Sequence, residues 1–305
     1  MNSELFWLRY LNFEEKVVKL TEYIAFNDEQ KTVYSPYIAD LIIQIGVEIE
    51  ALSKEVFRKY GGQWDSDSYP KFDKDCLSYL EQSLSISQKI VNIANPLIEF
   101  SSSKLYPFKG FNYTGARARN WKKAYMALRH NRIESIRLAN IENLILILSA
   151  LYLLNQYERD LCLNLGFQSD YKLKSDTRFG SKIFSLSVFD SMKMSLSFEG
   201  VYNWKDEYNE EFRESVYLII FSDEALVRLK EILTQDAQII MKNYSEVKRE
   251  FPDIDESNKN FLTNLYNSGG MNLVNKVFTS ERRLKYEYGN LSVIEKIINK
   301  KEFTY

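Results

Sequence analysis

The sequence predicts a mainly α fold: a helical bundle over residues 1–163, then a smaller α+β region over residues 164–305. Three observations predict it. Ile38, Leu41, Ile42, Ile45, Ile49 and Leu52 recur with the 3.6-residue period of a helix. The run Leu144 to Leu154 is the most apolar of the chain, eleven residues with Ser149 among them, Glu142 shortly before it and Asn155 after it. A membrane span needs roughly 20 such residues, so this run reads as a buried core helix. After Gly166 the pattern changes to alternation, most clearly in Phe184 to Val188.

The elements follow in order. Ser3 is a candidate N-cap for an amphipathic helix running to about Phe26, closed by a turn at Asn27-Asp28. A second helix starts after Ser35 with Pro36 at its first position and stops at Gly61-Gly62. A linker from Gln63 to Lys71 precedes a third helix over about Asp73 to Ser87, which continues or restarts through Ile90, Ile93 and Ala94 until Pro96. Ser101 to Gly115 reads as an irregular loop. A helix then covers about Arg119 to His130, and Asn140 caps the buried helix Ile141 to Leu163. Beyond Gly166, strands are expected at Phe184–Val188, Met192–Phe198 and Val216–Phe221. Helices are expected at Asp223–Lys248 and Leu291–Ile298, with a turn at Ser268-Gly269-Gly270 between them. The chain carries no internal repeat and no low-complexity tract.

Composition narrows the chemistry. Hydrophobic residues make up 45% and charged residues 27% of 305, an ordinary globular balance. Two cysteines, Cys76 and Cys162, are too few for a disulfide framework or a cysteine-based zinc site. His130 is the single histidine, so a His-rich metal site is excluded, and no metal or cofactor is expected. No P-loop, dinucleotide-binding glycine motif or nucleophile elbow is present. Asp253, Asp255 and Glu256 read as a solvated turn after Pro252. The first residues lack a basic stretch followed by an apolar one, so the expectation is a cytoplasmic protein with no membrane association.

The formal net charge of −2 hides an asymmetry. Between Lys109 and Arg137 stand eight bases (Lys109, Arg117, Arg119, Lys122, Lys123, Arg129, Arg132 and Arg137) and one acid, Glu134. The window carries +7 and the remainder −9. Such a patch, bearing Tyr113, Trp121 and Tyr125, suits a phosphate backbone with bases available for stacking. The alternative is a solvated helix paired with acids elsewhere in the fold. On a helical wheel Lys123, Ala127 and His130 share one face, with Glu134 and Arg137 continuing it if no turn intervenes at Asn131. Trp121, Tyr125, Leu128 and Ile136 fall on the other side, towards the core. His130 therefore faces solvent, a partner or a substrate, and a histidine so placed suits proton transfer.

The segment Trp121 to Arg132 fits the pattern W-x-x-x-Y-x-x-[VIL]-[KR]-H-x-R and resembles the HEPN-like helical superfamily of bacterial proteins. Leu105-Tyr106-Pro107-Phe108 and Ala139 to Leu144 fit the same resemblance, which covers about residues 35 to 160. Glu48 to Lys54 is similar to the acid-containing helix that such proteins pack against the histidine helix. The resemblance implies a metal-independent endoribonuclease of abortive-infection, toxin or antiviral-defence type. His130 would act as general acid or base, and Arg129, Arg132 or Lys123 would stabilise the phosphorane. Arg117, Arg119, Lys122, Trp121, Tyr125 and Arg137 would contact RNA, with Glu50, Lys54 and Asn131 in support. It also implies a homodimer with a composite site, and an antitoxin or defence-system partner. Catalytic members carry Arg, then four to six intervening residues, then His; here those Arg positions hold Tyr125, Ala124 and Lys123, so only a lysine stands at the longest spacing. Glu50 and Lys54 also have the spacing of an ordinary helix ion pair. The alternative expectation is a non-catalytic nucleic-acid-binding, regulatory or protein-interaction protein.

Overall fold

A computed structural model describes residues 4–64, 69–111, 121–159, 166–167, 173–174, 176–190, 210–221, 249 and 294–298. The expected strand Met192–Phe198, the helix Asp223–Lys248, the turn at Ser268 and the acids after Pro252 lie outside these residues.

Five helices of eight or more residues carry the described core. They are α1 (Glu4–Leu20), α2 (Pro36–Lys59), α3 (Leu77–Leu84), α4 (Trp121–His130) and α5 (Ile141–Glu158). Helix α2 starts as its sequence demands: the Ser35 hydroxyl accepts from Ile38 N at 3.1 Å, and Pro36 fills the first turn. At its far end Gly61 takes φ +91°, a left-handed value that glycine adopts without strain. Asn140 caps α5 by accepting from Asn143 N at 3.0 Å. Helix α1 ends at Leu20, earlier than its pattern suggests, because Phe26–Asn27 leaves to form strand β1.

The fold is mixed α/β, which corrects the expected all-helical bundle followed by a separate α+β region. Strands β1 (Phe26–Asn27), β2 (Val91–Ile93), β3 (Ile98–Glu99) and β4 (Lys104–Leu105) stand among the first helices. β1 pairs with β3 in parallel, Phe26 opposite Ile98. β2 is the centre of a three-stranded antiparallel sheet, with β4 on one side and β7 (Phe184–Leu186) on the other. One sheet thus joins residues on both sides of position 163. Ile90, Ile93 and Ala94 have helical spacing, but Ser85 takes φ 50° and ends α3 before they are reached. Ile93 N then donates to Ser103 O at 2.8 Å instead of continuing a helix. Strands of two or three residues are too short for alternation to be read.

Further along, β5 (Gly166–Phe167) pairs with β6 (Leu173–Lys174). β8 (Val188–Asp190) pairs in parallel with β9 (Tyr217–Phe221), and β10 (Ile294–Ile298) runs antiparallel to β9. The expected strands at Phe184–Val188 and Val216–Phe221 thus have observed counterparts. Ile294–Ile298 is a strand where a short helix was expected. A short helix, α6 (Glu210–Glu214), precedes β9. Among the described residues no helix is long and apolar enough to cross a membrane.

Helices α2 and α5 make the most extensive contact of the described elements. Tyr10, Phe13 and Val17 of α1 and Trp121, Tyr125 and Leu128 of α4 close the same core. A buried carboxylate fastens the later chain to α1. Glu14 Oε1 accepts from Tyr10 OH at 2.7 Å, from the Ser181 hydroxyl, and from Lys182 N and Ile183 N at 3.0 Å each. Charge-assisted bonds of this kind are among the stronger ones in a protein interior.

Lys89 is a second buried charge of unusual kind. It is fully buried, and its Nζ donates to Arg213 O at 3.0 Å. Burial pushes its pKa down to about 7, against a weaker opposing pull from Glu81. Between about pH 7 and 10.5 the unfolded chain holds a proton on Lys89 that the folded chain does not, so stability rises with pH across that window. Below about 7 both states are charged and the penalty is constant. Lys89→Met removes it. The stability advantage of Lys89→Met over the native chain should grow by roughly 3 kcal/mol between pH 10 and pH 7. Urea unfolding at both pH values measures this, and a gap that stays constant with pH would overturn it.

Candidate functional site

Helix α4 lies against α2 because α2 carries a glycine where the two meet. A Cβ on Gly46 would stand 2.2 Å from Cδ2 of Tyr125. Its absence lets the Tyr125 ring lie on the α2 backbone, and the ring is fully buried. The phenol reaches one turn further along α2 and donates to Glu50 Oε1 at 2.7 Å. Arg129, one turn after Tyr125, donates to the same Glu50 oxygen at 2.7 Å and to the Tyr125 oxygen at 3.1 Å. Burial, then the bond to the Glu50 carboxylate, raises the Tyr125 pKa to about 12. Tyr125 and Glu50 in turn raise the already high pKa of Arg129.

Two further bases are also paired with acids. Arg132, in the turn after α4, donates to Asp40 and to Pro36 O at 3.1 Å, which ties that turn to the start of α2. Lys122 pairs with Asp73 at 2.9 Å and donates to Phe111 O at 3.2 Å. Burial works against the Asp73 carboxylate, but the Lys122 ammonium outweighs it and the Asp73 pKa is lowered. Lys123 is exposed on the α4 face that ends in His130, and Arg137 is exposed in the 3-10 turn Ile136–Leu138. Asn131 ends α4, and its amide donates to Glu134 Oε2 at 2.6 Å.

His130 is the last residue of α4 and is exposed. Its ring has no hydrogen-bond partner among the described residues. The helix stops at Asn131, so the shared face expected for Lys123, Ala127 and His130 does not extend as helix to Glu134 and Arg137.

Three expectations need correction. Trp121 is fully buried, its indole N–H donates to Pro107 O at 2.7 Å, and its ring stands edge-on to Phe108 at 6.0 Å. Neither it nor Tyr125 offers a ring to a nucleic-acid base, because both rings fill the core. The Glu50–Lys54 helix pair does not form, since the Glu50 carboxylate is taken by Tyr125 and Arg129. Arg117, Arg119 and Tyr113 lie outside the described residues. Sequence reading missed Asp40 and Asp73, which pair with the bases, and Gly46, which admits Tyr125. A glycine in the middle of a 24-residue helix was the available signal, since glycine there costs about 1 kcal/mol relative to alanine.

Comparison with known proteins gives no match: no family model fits the sequence, and no curated protein or solved structure aligns with it.

Gly46→Ala would gain helix propensity at an ordinary position. Here the added Cβ collides with a buried ring, so the variant should lose about 2 to 3 kcal/mol. Denaturant unfolding measures this, and a stabilised variant would refute the close approach. Glu50→Ala leaves the Tyr125 hydroxyl without its acceptor and should cost about 2 kcal/mol. In a double-mutant cycle with Tyr125→Phe, the two losses should not add.

Proposed function

We propose that this protein is a non-catalytic interaction protein that engages another protein through the face formed by the start of α2, the end of α4 and the turn after it. One observation carries the reading. Lys122, Arg129 and Arg132 are already paired with Asp73, Glu50 and Asp40, while large apolar side chains stand exposed on the segments that Arg132 ties together. Ile133 is 87% exposed, Tyr37 48% and Tyr34 47%. The main chain beside Tyr34 bonds to the segment after α4, with Ser35 N donating to Ala139 O at 3.2 Å. A phosphate backbone needs cations free to replace counterions. A protein partner instead buries tyrosine, isoleucine and arginine at the centre of its contact and leaves matched charges at the rim.

A second reading is favoured by His130, whose exposed ring has no hydrogen-bond partner among the described residues and which stands in sequence between Arg129 and Arg132. In that reading the protein is a metal-independent endoribonuclease. His130 moves a proton at the 2′-hydroxyl or at the leaving 5′-oxygen, and the remaining N–H groups of Arg129 and Arg132 stabilise the phosphorane. A homodimer would bring two such helix ends together.

The two readings separate in one set of measurements. Single-stranded RNA should bind weakly, and neutralising Arg129 and Arg132 together should leave the salt dependence of that binding unchanged. A cross-linker placed at residue 133 should capture a partner only while Tyr37 and Arg132 are intact. RNA affinity that falls with a flattened salt slope in the Arg129/Arg132 variant would sink the interaction proposal. RNA cleavage lost in His130→Ala would establish the nuclease reading in its place.

A further inference from the structure

Glu14 holds the turn around Ser181 with one carboxylate oxygen only. Oε1 takes all four donors, from Tyr10, Ser181, Lys182 and Ile183. Oε2 has no hydrogen-bond partner among the described residues. Glu14 is 1% exposed, so the second oxygen belongs to a nearly buried group. It is not among the sealed, unpartnered atoms of the interior. Glu14 lines a cleft of about 410 Å³ between α1 and the turn, together with Leu8, Leu11, Asn12, Glu15, Gly180 and Lys182. That volume lies within the range of roughly 300–1,000 Å³ usual for small-molecule sites.

The lining is chemically divided. Glu14 and Glu15 supply carboxylates, Lys182 an ammonium, and Leu8 and Leu11 an apolar wall on α1. Leu8 is 60% exposed. Gly180, at φ +89°, puts no side chain into the opposite wall. The four donors on Oε1 fix the Glu14 carboxylate in place, so Oε2 is preorganised for a ligand cation. A simple cation would satisfy the carboxylates and leave Lys182 unanswered, and an anion would meet two carboxylates. A molecule carrying an ammonium, a carboxylate and an aliphatic side chain answers all three parts of the lining.

We propose that this cleft binds a free α-amino acid with an aliphatic side chain. The ammonium sits between Glu14 Oε2 and Glu15, the carboxylate meets Lys182, and the side chain lies on Leu8 and Leu11. The site is independent of the α4 face, and its failure would leave the interaction proposal standing.

Calorimetric titration of the full chain with leucine tests it. Leucine should bind at millimolar or lower concentration. N-acetyl-leucine, which lacks the ammonium, and leucine methyl ester, which lacks the carboxylate, should each bind about tenfold more weakly or not at all. Lys182→Ala and Glu15→Gln alter exposed side chains and should keep the fold, and each should weaken leucine by about tenfold. Glu14→Gln keeps an oxygen for the turn but puts an amide donor where Oε2 stood, and should abolish binding where it folds. No binding of leucine at millimolar concentration would overturn the proposal. Equal binding of N-acetyl-leucine, or affinity unchanged in both surface variants, would overturn it as well.

Discussion

The structure is organised around a helix with no side for water. Helix α5 is buried along nearly its whole length, from Ile141 to Tyr157. A helix that is apolar all round must be enclosed on every side, and no single neighbour can do that. Helix α2 covers one flank, α1 and α4 cover others, and the later chain supplies the rest. Tyr152 packs on Phe184 of β7 at 5.6 Å and donates to Arg178 O at 2.9 Å. Tyr217 of β9 donates to Gln156 O at 2.8 Å. The demand for cover explains why strands from beyond residue 166 belong to the same body as the first helices.

The parts that were legible in the sequence are those set by local chemistry. Ser35-Pro36 and Asn140 announce helix starts through hydrogen bonds made within one turn, and the apolar period of α2 survives into its buried face. The inward side of α4 at Trp121, Tyr125 and Leu128 follows from the same period. The short strands were not legible. Val91–Ile93 is a strand because Leu105 and Leu186 stand opposite it, partners 14 and 95 residues away that leave no local trace. The spacing of Ile90, Ile93 and Ala94 even favours the wrong element.

The candidate site divides the same way. That His130 would be exposed and Trp121 inward was readable from a wheel. Pairing of the bases near it with acids elsewhere stood as one of two alternatives, but which acids was not readable, because Asp40, Glu50 and Asp73 lie on other elements and pair across the fold. Three bases of the +7 window, Lys122, Arg129 and Arg132, are thus answered by acids from other elements. Exposed pairs of this kind add little stability at about 0–1 kcal/mol each, so their effect here is on the surface potential a partner meets.

The clasp on Glu14 also bears on the order in which the molecule can be completed during synthesis. When residue 163 has left the ribosome, α1, α2, α4 and α5 have all emerged, yet the edge of β2 has no β7 and the Glu14 carboxylate has lost three of its four donors. A buried carboxylate without donors is a penalty, so the early helices have reason to stay loose until the turn at Ser181 arrives. Closing a loop of that length is slow compared with forming a helix. A chain ending at residue 163 would thus leave apolar helix faces exposed, the condition in which incomplete domains are prone to aggregate.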